Sequence, residues 1–137
     1  MSVEDEEKFI ESHLDSVNQI LLVAEIEGEI VGALSFSGEN RSRILHKGEV
    51  GVSVLKAYWG LGIGKGLLES LLEWAESKRI VKKINLKVRC ENMRAIRLYE
   101  WMGFVSEGVV SREYFIDGKF YDALLMGLEI NLANGGI

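Results

Sequence analysis

Residues 50–68 hold the pattern that most restricts what this chain can fold into: a strand, a glycine-rich turn and a helix in succession. Val50, Val52 and Val54 alternate with small or polar residues, which is typical of a half-buried strand. The turn then has a glycine at every second position, namely Gly60, Gly62, Gly64 and Gly66. Apolar residues at spacings of three and four predict a helix from residue 63 to about 78. Because such a turn presents backbone N–H groups at the positive end of a helix dipole, the stretch predicts a phosphate-binding loop.

Two well-known phosphate loops fit this stretch only in part. A nucleotide-binding P-loop needs Ser or Thr directly after its lysine, but Gly66 follows Lys65, so the hydroxyl that would bind magnesium is missing. A dinucleotide fingerprint GxGxxG can be traced through Gly62 and Gly64, but its third glycine is replaced by Leu67. A second motif elsewhere in the chain is needed to choose among phosphate loops.

That second motif is CENMRAIRLYEWMGF, residues 90–104, after a predicted strand that ends near residue 88. The two motifs together resemble the cofactor site of the GNAT acetyltransferase superfamily. The family's loop reads Gln or Arg, two residues, Gly, one residue, Gly or Ala; Gly62 and Gly64 match it, and Trp59 stands at the Gln or Arg position. The family's second motif is matched by Asn92, Ala95, Ile96, Leu98, Tyr99, Gly103 and Phe104. The resemblance covers roughly residues 21–129.

The resemblance implies an α/β fold, a mixed and mostly antiparallel sheet with a central parallel pair, flanked by helices, in one domain over residues 1–137. Tight turns at Glu27–Gly28 and Asp117–Gly118 predict hairpins between residues 21 and 36 and between residues 104 and 129. The apolar spacing of residues 2–17 predicts a helix. We therefore expect this chain to lack the first strand and helix with which the family usually begins.

By the same resemblance the cosubstrate is acetyl-CoA, and the family's binding positions can be carried over residue by residue. Main-chain groups of the loop strand, which in the family contact the pantetheine arm and the thioester oxygen, correspond to Val52, Ser53 and Val54. The N–H groups that hold the pyrophosphate correspond to Gly60, Leu61, Gly62, Ile63, Gly64 and Lys65. Asn92 corresponds to a contact with the pantetheine arm, and it also has the position of a helix N-cap. Because Trp59 removes one polar contact, the loop amides are expected to carry more of the phosphate binding.

Acetyl transfer to an amine needs a group that takes a proton and a group that gives one. A free alkylamine has a pKa of about 10, so it must lose a proton before it attacks, and the departing thiolate of CoA must gain one. The resemblance places the general acid at Tyr99. Glu49, on the loop strand, is the predicted base, acting directly or through water; His46, Glu25 and water alone are alternatives. Lys87 stands where another branch of the family has a glutamate.

Composition limits the remaining functional classes. The formal charge of −5 and a pI near 5.1 disfavour nucleic-acid binding. The one cysteine, Cys90, excludes an internal disulfide, and no Cys/His spacing suggests a metal site, so none is expected. No long apolar run or leader pattern is present, so we expect no membrane contact and a cytoplasmic location. An unpaired sheet edge would favour a homodimer.

The sequence thus predicts an acetyl-CoA-dependent N-acetyltransferase that moves the acetyl group directly to a primary amine of a small molecule, an amino acid or a peptide. The alternative from another class is a non-catalytic acyl-CoA-binding regulatory module. Such a module would keep the glycine loop and Asn92 but would not need Tyr99. A covalent route through Cys90 is disfavoured, because the family resembled here transfers the acetyl group without a covalent intermediate.

Overall fold

Seven strands and two α-helices make up the part of the chain that the computed structural model describes, residues 8–15 and 18–131. In chain order they are β1 (Lys8–Asp15), β2 (Gln19–Ile26), β3 (Glu29–Gly38), β4 (Lys47–Val54), α1 (Ile63–Lys78), β5 (Lys83–Arg89), α2 (Met93–Trp101), β6 (Val105–Ile116) and β7 (Lys119–Glu129). Two single turns of 3₁₀-helix, Ser42–Ile44 and Lys56–Tyr58, lie in the connections. In these residues no helix is long and apolar enough to cross a membrane.

The strands form one sheet in the order β1-β2-β3-β4-β5-β7-β6. All neighbouring strands are antiparallel except β4 and β5, which run parallel near the middle of the sheet. The buried residues of α1 and α2 share one hydrophobic cluster with the inward-facing residues of the strands, so both helices pack on the same face. The predicted mixed sheet with a central parallel pair and flanking helices is confirmed.

Two tight turns set the register of the antiparallel hairpins. Glu27 and Gly28, between β2 and β3, have φ angles of 51° and 82°. Asp117 and Gly118, between β6 and β7, have φ angles of 52° and 76°. Positive φ at both central residues is the geometry whose twist matches that of the flanking strands, and Gly at the second position adopts it without strain. Both hairpins predicted from the sequence are confirmed.

The prediction of a helix over residues 2–17 is wrong for residues 8–15, which form β1 and pair antiparallel with β2. A strand therefore precedes β2, where the sequence predicted none. The pairing shifts register between Ser12 and Leu14. Such an irregularity breaks the period of two by which a strand is recognised, and the remaining apolar spacing then imitates a helix. The rest of the predicted helix, residues 2–7, 16 and 17, lies outside the described residues.

The core lies between the sheet and α1. Leu67, Leu68 and Leu71 are completely buried on the inner side of this helix, and Trp74 packs its ring edge-on against Phe36 of β3 with centroids 5.8 Å apart. The helix spans the predicted residues 63–78 because its apolar side chains recur on one face. This packing fixes the start of α1 against the sheet, and the start of α1 is where the glycine loop ends.

Removing a core side chain of α1 should destabilise the whole domain. We expect Leu71→Ala to lower the free energy of unfolding by about 2–5 kcal/mol, because the substitution leaves a cavity in a closely packed core. Glu73→Ala, an exposed position on the same helix, should change it by about 0.5 kcal/mol or less. Urea unfolding followed by circular dichroism measures both. Equal effects of the two substitutions would contradict the packing described here.

Candidate active site

A gap opens in the middle of the sheet, between residues 50–54 of β4 and residues 86–89 of β5. The parallel ladder joins Lys47 to Lys83, Gly48 to Ile84 and Glu49 to Asn85, and the described strands make no further pair beyond that point. On its other side β4 stays paired with β3 through to its last residue, Val54. The main chain of the predicted positions Val52, Ser53 and Val54 therefore borders the gap with one edge that no strand covers. An extended ligand can form hydrogen bonds along such an edge.

The glycine loop follows β4 and leads into α1. Gly60 and Gly62 have φ angles of 83° and 81°, which L side chains rarely adopt, and Gly62 is the N-cap of α1. No side chain caps this helix, and its first i to i−4 bond is donated by the N–H of Gly66. The N–H groups of Ile63, Gly64 and Lys65 therefore come before the helical ladder and point out of its start. A helix start of this kind can bind an anion, and phosphate binding by residues 60–65 stays a prediction.

Two side chains of the loop, Trp59 and Lys65, make contacts with residues outside it. Trp59 is about half exposed, and its indole Nε1–H donates a hydrogen bond of 2.9 Å to the carbonyl oxygen of Val54. The Lys65 ammonium, predicted as a charge near the phosphates, lies 4.3 Å from the ring centroid of Trp101 at the end of α2. A lysine on the face of an indole keeps its charge and its N–H donors while the ring limits its motion.

Asn92 is the N-cap of helix α2, the capping position predicted for it. The Asn92 side-chain oxygen accepts a hydrogen bond of 3.3 Å from the N–H of Ala95, in the N3 position. The helix buries Ile96 in the core and ends at Met102, after which Gly103 turns the chain with a φ angle of 106°. The cap thus fixes where α2 starts, directly after β5 and beside the gap.

Tyr99 lies on α2 with its ring packed against the core. Its ring meets that of Phe104 edge-on, with 5.8 Å between centroids. Burial raises the pKa of Tyr99 above its ordinary value of about 10. No group in the described part of the chain forms a hydrogen bond with its hydroxyl. The phenol therefore keeps its proton at neutral pH and has a donor available for a ligand.

Glu49 lies on the other face of the sheet from Tyr99. Gly48 and Val50, its neighbours along β4, are buried, whereas Glu49 is exposed on the face that the helices do not cover. Lys87 shares its surroundings: the Lys87 Nζ lies 3.2 Å from the Glu113 carboxylate, and this hydrogen bond and then the charge of Glu49 raise the pKa of Lys87. The predicted acid and the predicted base are therefore on opposite faces of the sheet.

The two alternative bases lie away from the gap. His46 is exposed before the first residue of β4, and its carbonyl oxygen accepts hydrogen bonds from the N–H groups of Lys82 and Lys83. Glu25 is on β2, separated from β4 by β3. The structure brings neither of them to the gap, which leaves Glu49 and water as the bases to consider.

A model of the family described as Acetyltransferase (GNAT) family matches residues 2–104. The chain belongs to the GNAT acetyltransferase family. It is thus an acetyltransferase enzyme, and the family resemblance seen in the two sequence motifs is confirmed over most of the chain.

Individual proteins similar to this GNAT chain carry N-acetyltransferase names. It is 35% identical over 126 residues to an N-alpha-acetyltransferase of Sulfurisphaera tokodaii, covering 86% of this chain and 74% of that protein. It is 30% identical over 105 residues to an L-amino acid N-acetyltransferase of Escherichia coli, covering 77% of this chain and 65% of that protein. Among solved structures, a GNAT acetyltransferase of Streptococcus pneumoniae has 39% identity and a TM-score of 0.81, over 85% of this chain and 70% of that one.

The sequence motifs did not reveal every residue that this GNAT site brings together. Arg94 of α2 reaches the ring of Trp59 and the turn at Gly60, and Trp101 reaches Lys65. These contacts join residues that are 34 to 36 positions apart in the chain. Local periodicity cannot show them, because they depend on how α1 and α2 pack side by side. Within the described residues no group of three or more His, Cys, Asp or Glu side chains is arranged to hold a metal ion.

The cap of α2 can be tested by two substitutions at one position. Asn92→Ala removes the oxygen that accepts from Ala95 and should lower the free energy of unfolding by about 1 kcal/mol. Asn92→Asp keeps an equally good capping oxygen and should stay close to the wild type. Thermal and urea unfolding measure the difference. If the aspartate variant loses as much stability as the alanine variant, the side-chain oxygen is not what stabilises the start of α2.

Proposed function

We propose that this chain transfers the acetyl group of acetyl-CoA directly to a primary amine of a small molecule, an amino acid or a peptide. The observation that carries the proposal is the gap between β4 and β5, with the uncapped start of α1 after β4 and Tyr99 on the helix that follows β5. The names of the two relatives, an N-alpha-acetyltransferase and an L-amino acid N-acetyltransferase, both denote transfer to an amino group. They support amino acids and peptide N-termini as the first acceptors to test.

In this proposal the chain holds acetyl-CoA mainly by its backbone. The uncapped N–H groups of residues 63–65 fit the pyrophosphate, because an anion there satisfies donors that the helix itself leaves free. The edge of β4 at Val52, Ser53 and Val54, where the Val54 carbonyl oxygen already accepts from Trp59, fits the amide-rich pantetheine arm. It also supplies an N–H for the thioester oxygen as this oxygen gains negative charge. Asn92 has an amide NH₂ group left for the arm, because its cap uses only the oxygen.

Tyr99 is the proposed general acid that protonates the leaving thiolate. An acid for this step must still hold its proton when the amine has lost its own, so its pKa should not lie below that of the amine, about 10. Burial moves the pKa of Tyr99 in that direction. The neighbouring Phe104 ring keeps the phenol in an apolar contact and limits its rotation.

Glu49 is the proposed base, acting directly or through water. It forms the last pair of the β4–β5 ladder with Asn85, so it lies at the closed end of the gap on the open face of the sheet. An amine that enters from this face passes Glu49 before it reaches the thioester carbon. A carboxylate in that place attracts a protonated amine and can accept its proton.

Removing the Tyr99 hydroxyl should slow turnover without weakening cosubstrate binding. We expect Tyr99→Phe to lower kcat by about 100-fold or more, the range for loss of a general acid, at nearly unchanged acetyl-CoA affinity. Thiol release from acetyl-CoA with a panel of amino acids and short peptides measures turnover, and calorimetry measures affinity.

Tyr58→Phe is the matched control, because its hydroxyl is directed to Glu29 of β3, on the side of β4 away from the gap. This variant should keep the wild-type kcat. Wild-type turnover in Tyr99→Phe would remove this residue from the mechanism. Binding of acetyl-CoA by the wild-type chain without thiol release for any amine would instead favour the non-catalytic acyl-CoA-binding module.

Placing a negative charge in the glycine loop should abolish cosubstrate binding. Gly62→Glu puts a carboxylate where the proposed phosphate lies, and we expect at least a 100-fold loss of CoA affinity. Gly118→Glu is the matched control: its φ of 76° is close to the 81° of Gly62, and a Cβ at either position meets no atom within 4 Å. Both substitutions impose similar backbone strain, but only the first should affect binding in calorimetric titrations. Similar affinities in the two variants would show that the phosphates bind elsewhere.

A further inference from the structure

Trp59 occupies the one loop position where the family carries Gln or Arg, and its polar group is already in use. An indole has a single N–H donor and no acceptor. That donor is engaged with the carbonyl oxygen of Val54 at 2.9 Å. Trp59 therefore cannot offer the phosphates the side-chain hydrogen bond that Gln or Arg would offer.

A cation from a different element lies over this tryptophan. The guanidinium carbon of Arg94, in the first turn of α2, is 5.1 Å from the centroid of the Trp59 ring. Its Nη2 atom is 3.8 Å from the position that a Cβ on Gly60 would occupy. Arg94 thus reaches across from α2 to the first glycine of the loop.

The guanidinium of Arg94 is not engaged by an acidic partner. Within residues 8–15 and 18–131 it forms no ion pair and no hydrogen bond, whereas Arg89 is paired with Glu91. Contact with a ring face leaves its five N–H donors free, and a guanidinium presents them in a planar fork that suits two phosphate oxygens. An exposed arginine normally moves through many rotamers, and the ring reduces that freedom before a ligand arrives.

We propose that Arg94, held on the ring of Trp59, is the phosphate-binding cation of the glycine loop and acts on the diphosphate of CoA. From its position on α2, Arg94 makes the phosphate contact that a Gln or Arg of the loop makes in the family. The inference rests on the proposed binding of acetyl-CoA. In this proposal the Trp59 ring holds Arg94 in place, and the two sequence motifs contribute to a single phosphate site.

The test is the affinity of the full chain for CoA, measured by calorimetry. Arg94→Ala should weaken CoA binding by about 10- to 100-fold, the range for a charge-assisted contact. Arg97→Ala is the matched control, because it removes the same charge from an exposed position of the same helix. It should weaken binding by less than about 3-fold.

Truncated ligands identify which group Arg94 contacts. The loss in Arg94→Ala should persist with 3′-dephospho-CoA, which keeps the diphosphate. The same substitution should leave binding of S-acetylpantetheine, which lacks the diphosphate, unchanged. A loss that disappears with 3′-dephospho-CoA would assign Arg94 to the 3′-phosphate and overturn the proposal as stated. An equal loss with S-acetylpantetheine would show a structural role only and would also overturn it.

A double-mutant cycle tests the replacement itself. Trp59→Arg restores the family's side chain, so Arg94→Ala in that background should cost less than about 3-fold in CoA affinity. An undiminished cost would show that the two positions do not serve the same contact. If the wild-type chain does not bind CoA at all, the proposed function and this inference both fail. If it binds CoA and Arg94→Ala binds equally well, this inference alone is wrong.

Discussion

The candidate site depends on the parallel ladder between β4 and β5 ending after three pairs. A strand edge inside a sheet is normally saturated by its neighbour, and an unsaturated one needs another partner. Here the divergence leaves five residues of β4 beside a gap rather than beside β5. Had the ladder continued to Val54, the main chain that is proposed to hold the pantetheine arm would be occupied. The proposed binding site therefore depends on where this ladder ends.

The helices that follow the two strands meet beside the gap. Helix α1 leaves β4 through the glycine loop, α2 leaves β5 through the Asn92 cap, and the two helices lie side by side over the gap. The contact is close where Gly64 faces Leu98: a Cβ on this glycine would lie 3.5 Å from the Leu98 side chain. Two cation–aromatic contacts, Lys65 on Trp101 and Arg94 on Trp59, extend the same junction at its solvent side. The two sequence motifs thus meet where α2 contacts the glycine loop and the start of α1.

The sequence predicted the features that short-range rules determine. Both hairpins follow from a residue pair with Gly second, and α1 follows from apolar residues at helical spacing. The features that the sequence did not predict depend instead on contacts between residues that are distant in the chain. The sequence predicted a helix in place of strand β1, because the pairing of β1 with β2 shifts register and that shift cannot be seen without β2.

The irregularity in β6 could not be predicted for the same reason. Between Val110 and Tyr114 the ladder with β7 skips, Arg112 takes a φ of 54°, and its N–H donates to the Asp122 carboxylate across the strand at 2.9 Å. The skipped segment includes Glu113, which pairs with Lys87 on the open face of the sheet. A sequence read one strand at a time contains the residues of this contact but not their alignment.

The placement of Tyr99 and Glu49 on opposite faces fits the opposite demands of the two proton transfers in the proposed reaction. The acid must keep its proton until the thiolate leaves, and burial against Phe104 raises its pKa. The base must release the proton that it takes from the amine, which is easier for an exposed carboxylate in contact with water. An exposed Tyr99 would lack this increase in pKa and would ionise more readily at alkaline pH. In the proposed reaction the amine approaches the thioester carbon from the open face, while the sulfur lies toward the helices. Alternation of side chains along β4 puts Glu49 on the open face, and the packing of α2 puts Tyr99 on the other face.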